Sequence, residues 1–111
     1  MLRRAICVSG MLLLIALSGV AQSGVRSLSG VVTDARGNVL PGVAVQIENE
    51  HTLIVMSRMT GKDGRYYVNQ LSDDSDYVVR AKYKKFWSRP RTLSKFDSSK
   101  HPEVDLVIPI E

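Results

Sequence analysis

Apolar and polar residues alternate along most of the chain after residue 21. The clearest runs lie at 43–48 and 77–84, where every second residue is apolar and most residues between them are polar. A third run at 104–110 repeats the pattern, and Pro109 marks it as an edge strand or a strand end. A period of two is that of a strand with one buried and one exposed face, whereas no long segment here shows the period of a helix. The pattern therefore predicts an all-β domain.

Turn-forming residues interrupt this alternation at short intervals, at 34–38, 41–42, 61–64 and 72–76. Asp, Asn and Ser bond to the amides of their own turns, and Gly and Pro supply the special backbone angles that turns need. The stretches between the interruptions are the predicted strands: 28–34, 42–49, 52–60, 64–70, 76–85, 90–96 and 103–110. About seven short antiparallel strands in roughly 90 residues favour a two-sheet sandwich, with a small closed barrel as the alternative.

The first residues have the composition of an export signal. Arg3 and Arg4 precede an apolar core at 5–17, and small residues follow as far as Ala21. We expect cleavage after Ala21, although an uncleaved anchor is the alternative, because a membrane span needs about 20 apolar residues. In either case the body of the protein is expected to be exported, whether periplasmic, on the outer surface or extracellular.

This interpretation divides the chain into a signal peptide at 1–21, a mobile segment at 22–27 and one β-sandwich domain at 28–111. Cys7 is the only cysteine and lies in the signal, so the mature chain has no thiol for disulfides, metal sites or nucleophilic catalysis. Loss of the signal also lowers the formal net charge from +4 to +2. A nearly neutral, exported chain is not expected to bind nucleic acid.

The order of several short motifs resembles the carboxypeptidase regulatory-like domain. The motifs are SGVVTD at 29–34, Gly37, LPGVAV at 40–45, TGKDGRY at 60–66, Leu71 and DYVVRA at 76–81. The resemblance covers about 28–81 well and continues more loosely through 104–110. It implies a transthyretin-like sandwich that serves as an accessory module in secreted peptidases, in outer-membrane receptors or as a short exported protein.

Candidate catalytic residues are few. The transthyretin-like fold includes a hydrolase branch that acts on a urate breakdown product, but its His-Gly-x-Pro and Tyr-Arg-Gly-Ser segments do not occur in this sequence. No serine lies in a nucleophile-elbow context, so a triad is not indicated. We predict no catalytic residue and no cofactor, and keep a small hydrolase only as an alternative. The serines considered for a triad are Ser57, Ser88 and Ser94.

Metal binding is also not predicted. His51 follows Glu48 and Glu50, but adjacent residues of a strand point to opposite faces, and His101 before Pro102 is expected to be a solvated loop residue. The acidic loop at 73–76 has oxygen ligands suited to calcium, yet it lacks the wider alternation and final glutamate of an EF-hand loop. A solvated turn is the favoured interpretation.

The segment at 83–91 combines aromatic and cationic side chains, which can stack on sugars or hold acidic polymers. The competing interpretation is structural, with an aromatic ring closing the core and outward charges giving solubility. Continued alternation would place Tyr83 inward and Phe86 outward, but the pattern breaks at Lys85, where we expect the strand to end. The candidate contact residues are Tyr83, Phe86, Trp87, Arg89 and Arg91.

Together these patterns predict a non-catalytic module that binds an exported protein or a surface glycan. We expect a monomer or a weakly associating chain, with membrane contact only through an uncleaved signal. A structural spacer without a ligand is the alternative. Exposure of both Phe86 and Trp87 beside the basic residues would favour binding, and burial of both would favour packing.

Overall fold

The computed structural model describes residues 24–111, so the predicted signal at 1–21 lies outside the described residues. This part of the chain forms strands and turns without a helix, and it offers no helical segment that could span a membrane. The strands are β1 (Val25–Thr33), β2 (Ala44–Asn49), β3 (Val55–Met59), β4 (Arg65–Ser72), β5 (Tyr77–Tyr83), β6 (Phe86–Trp87), β7 (Arg91–Leu93) and β8 (Leu106–Val107). The predicted all-β class is confirmed.

The strands form two facing sheets, which confirms the predicted sandwich. One sheet has the order β4-β1-β8, and the other has the order β3-β2-β5-β6, with β7 pairing β5 beside β6. Every strand pair is antiparallel except β1 with β8, which is parallel. The exception arises because the chain leaves β7 in one sheet and crosses to the other, where it arrives beside β1 in the same direction.

The core lies between the sheets and is built from the inward positions of the alternating runs. Val45 and Ile47 of β2 face Ala81 and Val79 of β5 in register, and all four are fully buried. Each fully buried valine or isoleucine side chain contributes about 1.5–3 kcal/mol through lost contact with water. The buried apolar residues are Leu28, Val32, Val43, Val45, Ile47, Tyr66, Val68, Leu71, Tyr77, Val79, Ala81, Leu93, Val104, Leu106 and Ile108.

The structure differs from the prediction at the start of the domain. β1 begins at Val25, and Arg26 and Ser27 are buried, so these residues belong to the fold rather than to a mobile segment. Arg26 donates hydrogen bonds to the carbonyls of Ser94 at 2.9 Å and Ser75 at 2.8 Å. The alternation of apolar residues does not reveal this extension because Arg26 and Ser27, which precede Leu28 in β1, are polar.

Candidate functional site

A tight hairpin joins β5 to β6 and decides where the aromatic residues point. Tyr83 pairs with Phe86, and Lys82 pairs with Trp87, so the turn holds only two residues. Lys84, the first of these, adopts a left-handed φ of 57°. The strand therefore ends two residues before Lys85, and the reversal makes Phe86 share the inner face with Tyr83, where both pack against the core. The outward placement of Phe86 expected for a continued strand is wrong.

Trp87 lies on the outer face of the same sheet, and 39% of its surface is exposed. The guanidinium carbon of Arg80 lies 4.6 Å from the centre of the Trp87 ring, and Nζ of Lys82 lies 5.3 Å from it. Cations at such distances are attracted to the electron-rich face of an indole. The only tryptophan of the chain is thus held in a positively charged setting at the sheet edge.

Ser88 fixes the backbone that follows Trp87. Its amide donates to the carbonyl of Ala81 at 2.8 Å, and its hydroxyl oxygen accepts from the amide of Ala81 at 2.8 Å. The same hydroxyl donates to the carbonyl of Arg89 at 3.2 Å. Ser88 is buried. Its hydroxyl oxygen takes the place of a main-chain carbonyl as the acceptor for the Ala81 amide, in the gap between β6 and β7. Ser88 is therefore a positioning residue for Trp87, with its hydroxyl fully engaged by the fold.

A groove of about 520 Å³ lies beside Trp87, between β6 and β7 of one sheet and β8 of the other. Arg91 reaches across and donates to the carbonyl of Asp105 at 3.0 Å. The lining combines an indole, two guanidinium groups, aliphatic side chains and Asp105, whose carboxylate accepts a hydrogen bond from the amide of Val31 at 3.0 Å. Two cations against one hydrogen-bonded carboxylate suit a ligand with both apolar and anionic groups. The lining residues are Trp87, Arg89, Arg91, Asp105, Leu106, Val107 and Pro109.

Tyr66 supports the β8 side of this groove. Its hydroxyl donates to the carbonyl of Val104 at 2.6 Å, and burial, with a smaller contribution from the Asp105 carboxylate, raises the pKa of Tyr66 well above its usual value. Gly30 lies opposite, and a Cβ atom there would collide with the Val104 backbone and the Tyr66 ring. A glycine on β1 thus allows β4 and β8 to approach closely enough for the hydrogen bond.

The five contact residues predicted from the sequence separate into two groups. Trp87, Arg89 and Arg91 line the groove, whereas Tyr83 and Phe86 pack against the core. Sequence reasoning missed Arg80 and Lys82 as neighbours of the Trp87 ring. The signal for them was present, because both occupy outward positions of the alternating run at 77–84.

A second cavity of about 520 Å³ lies at the acidic loop. Here Asp76 accepts a hydrogen bond from the amide of Lys95 at 2.6 Å, and Asp73 lies 3.6 Å from Nζ of Lys100. Within residues 24–111 no three His, Cys, Asp or Glu side chains are grouped to hold a metal ion. These two aspartates connect loops of the fold. The cavity is lined by Glu50, His51, Ser72, Asp74, Ser75, Asp76 and Lys95.

One Ser–His contact was not expected from the sequence. The hydroxyl of Ser27 and Nδ1 of His101 lie 2.7 Å apart, so His101 is tied to β1 although it is exposed. In the described part of the chain no carboxylate hydrogen-bonds to the other ring nitrogen of His101, and Ser27 is buried in β1. The pair thus lacks the orienting carboxylate of a catalytic triad.

Solved structures with a similar fold include enzymes and surface proteins. Chlorocatechol 1,2-dioxygenase from Pseudomonas putida matches with a TM-score of 0.58 and 10% identity, over 83% of this chain and 63% of the dioxygenase. A DUF3823 family protein from Parabacteroides merdae ATCC 43184 matches with a TM-score of 0.57 and 18% identity, over 79% of this chain and 47% of that protein. This chain thus spans less than two thirds of either protein.

The C-terminal domain of the shaft pilin spaA from Lactobacillus rhamnosus GG is also similar. Its TM-score is 0.50 and its identity 11%, over 77% of this chain and 98% of the pilin domain. Identities this low show a shared fold alone. The comparison with curated proteins found no match.

Family membership rests on the sequence over most of the described domain. The model of the carboxypeptidase regulatory-like domain matches residues 27–108, which span β1 to β8 and include every buried apolar residue of the core. The resemblance seen in the short motifs is therefore confirmed. This chain belongs to the carboxypeptidase regulatory-like domain family.

Proposed function

We propose that this chain is an exported, non-catalytic interaction module that binds an acidic segment of an exported protein in the groove beside Trp87. The observation that carries the proposal is the exposed Trp87 ring flanked by Arg80 and Lys82. Charge concentrated beside an exposed aromatic ring favours an anionic ligand with apolar parts. Export is proposed from the signal-like composition of residues 1–21.

A peptide fits this groove better than a sugar ring does. Stacking on a sugar uses an aromatic face, and Arg80 and Lys82, which lie over the Trp87 ring, would compete with a sugar for it. The groove runs beside β8, the end strand of its sheet, and includes the side chains of Leu106 and Val107, so an extended peptide can lie along it through side-chain contacts. The likeness to a shaft pilin is consistent with a role in protein assembly, although it concerns the fold alone.

The sole tryptophan provides a direct test. The chain is titrated with a glutamate-rich peptide that contains leucine, with an acidic polysaccharide and with a neutral polysaccharide, while the fluorescence of Trp87 and the anisotropy of labelled probes are recorded. We expect the peptide to bind, with a shift in Trp87 emission. Increasing salt should weaken the binding, because charge pairs at a partly exposed groove are screened.

Matched variants locate the site. Trp87→Ala and Arg89→Gln should each weaken peptide binding about tenfold or more, as expected for an aromatic or arginine residue at the centre of an interface. Tyr67→Ala removes an exposed aromatic ring from β4 and should leave binding unchanged. Preferred binding of the polysaccharide would assign the groove to carbohydrate, and unchanged binding by Trp87→Ala would refute the site. Absence of binding by any probe would favour the structural spacer.

A further inference from the structure

The outer edge of β3 is an unprotected strand edge at the opposite end of the five-stranded sheet from Trp87. β3 is the last strand of the order β3-β2-β5-β6, and within residues 24–111 no strand pairs with its outer edge. Val55 is 51% and Met59 63% exposed, and Leu53 and Ile54 in the preceding loop are exposed as well. Exposed apolar side chains beside unpaired main-chain groups favour pairing with another strand.

The edges formed by β6, β7 and β8 carry features that oppose such pairing. At the edge formed by β6 and β7, Arg89 and Pro90 lie between the two strands, and Arg91 begins β7. β8 has only two residues and is followed by Pro109 after one residue. Charge, proline and short length all discourage edge pairing, whereas β3 has five residues and one charge. The β3 edge is thus distinguished from these protected edges.

The hydrogen bonds of the β2–β3 hairpin show which groups of β3 are free. The amide of Asn49 donates to the carbonyl of Ile54, and the amide of Thr60 donates to the carbonyl of Val43, both at 2.9 Å. Because hydrogen-bonded and non-hydrogen-bonded pairs alternate in an antiparallel ladder, every second residue of β3 directs its main chain away from β2. The residues with outward N–H and C=O groups are Val55, Ser57 and Met59.

We propose that a second copy of this chain covers the edge, with the two β3 strands antiparallel and Ser57 on the two-fold axis. In this register Ser57 faces Ser57 of the second copy, and Val55 faces Met59. All outward main-chain groups then fall at hydrogen-bonded positions, and the apolar side chains meet on one face. The arrangement is self-complementary, as a two-fold interface must be, and it joins the two five-stranded sheets into one continuous sheet.

The charges of β3 are compatible with this register. Arg58 is the only charged residue of the strand, and it faces Met56 of the second copy rather than a second arginine. The two Arg58 side chains lie diagonally, at about 7–8 Å, where their exposure allows solvent and salt to screen them. No like charges stand directly opposite each other. This pairing differs from the monomer or weakly associating chain expected from the sequence.

The loop before β3 extends the same surface. The side chain of Asn49 accepts hydrogen bonds from the amides of His51 and Thr52, and Leu53 is held at a left-handed φ of 63°. This conformation is unfavourable for a residue with a Cβ atom. The loop nevertheless presents Leu53 and Ile54 to solvent, where they would lie beside the end of β3 of the second copy.

Introducing a charged residue at position 57, on the two-fold axis, tests this arrangement. Sedimentation velocity of the full chain is measured from micromolar to millimolar concentration for the unsubstituted protein, for Ser57→Lys and for Ser57→Glu. We expect the unsubstituted chain to dimerise and each variant to be shifted to the monomer, because substitution at the axis sets two like charges opposite each other. An equimolar mixture of the two variants should form the dimer again. A monomeric unsubstituted chain, or a mixture that stays monomeric, would overturn the proposal.

A crosslink tests the register independently of affinity. In a Cys7→Ser background, Ser57→Cys should form an intermolecular disulfide on oxidation, since paired residues at hydrogen-bonded positions have Cα atoms about 5.5 Å apart. Asn69→Cys, exposed on the end strand β4, should stay uncrosslinked. The reverse result would place the interface on the other sheet and refute the proposal. Peptide binding by the Trp87 groove should be unaffected by either change, which keeps the two proposals separable.

Discussion

Phe86 and Trp87 are consecutive residues of β6, and their side chains lie on opposite faces of the five-stranded sheet. Phe86 packs against the core beside Tyr83, while Trp87 stands next to Arg80 and Lys82 at the surface. Neighbouring residues of a strand always separate in this way. One ring thus supports the fold, and the other is available for contact.

The separation predicts different effects of the two alanine substitutions. Phe86→Ala should lower the free energy of unfolding by about 1–3 kcal/mol, less than the loss for a fully buried phenylalanine because Phe86 is only partly buried. Trp87→Ala should lower it by less than about 1 kcal/mol, since it removes an exposed ring and its cation contacts. Urea unfolding followed by circular dichroism measures both. A larger loss for Trp87→Ala would assign that ring to packing and weaken the proposed function.

Much of this fold follows from the alternation of apolar residues, because the core consists of every second residue in the main strands. Val43, Val45 and Ile47 face inward as their spacing predicts. The partner of each strand is a different matter. Val32 pairs with Leu106, and nothing in the local pattern of either segment specifies a contact so distant in the chain. The parallel β1–β8 pair was therefore not predicted.

In the candidate site, too, local composition was predictive and the turn and long-range pairing were not. The segment at 83–91 was recognised from its composition, but the two-residue turn at Lys84 resets the alternation and turns Phe86 inward. Turn length cannot be read from this segment, because lysine rarely adopts the left-handed conformation that the turn requires. The β8 side of the groove, with Asp105 and Val107, depends on long-range pairing and was missed for that reason.

The hydrogen bond between Tyr66 and Val104 predicts a loss of stability at alkaline pH. The buried phenol keeps its proton in the folded chain to a higher pH than in the unfolded chain, where tyrosine ionises with a pKa of about 10. This contribution to stability is fully present below pH 10 and is lost as the pH rises above it. Urea midpoints measured at pH 8 and at about pH 11 should differ more for the unsubstituted chain than for Tyr66→Phe.

Controls separate this effect from the titration of lysines at the same pH. Tyr67→Phe alters the exposed neighbour on the same strand and should show the same alkaline loss as the unsubstituted chain. At pH 8, Tyr66→Phe itself should cost about 1–3 kcal/mol, because it leaves the buried Val104 carbonyl without its donor. Equal alkaline losses in Tyr66→Phe and the unsubstituted chain would show that other groups control the transition.

Arg26 is the most unusual polar residue of the interior, with 2% of its surface exposed. Its guanidinium donates only to carbonyl oxygens, those of Ser75, Ser94 and Asp97, and Nε has no hydrogen-bond partner in the described part of the chain. Burial of the charge opposes folding, while the charged hydrogen bonds favour it. Arg26→Met distinguishes these contributions, because methionine retains part of the volume without the donors.

We expect the hydrogen bonds to dominate, since they connect the start of β1 to both the 72–76 loop and the loop after β7. Arg26→Met should lower the free energy of unfolding by about 1–3 kcal/mol. It should also increase hydrogen exchange at the amide of Lys95, which donates to Asp76 across the same two loops. The amide of Val79, at the centre of β5, should change only as much as global stability does. If Arg26→Met is instead more stable than the unsubstituted chain, burial of the guanidinium must cost more free energy than its three hydrogen bonds contribute. Arg26 would then connect the two loops at the expense of the stability of the fold.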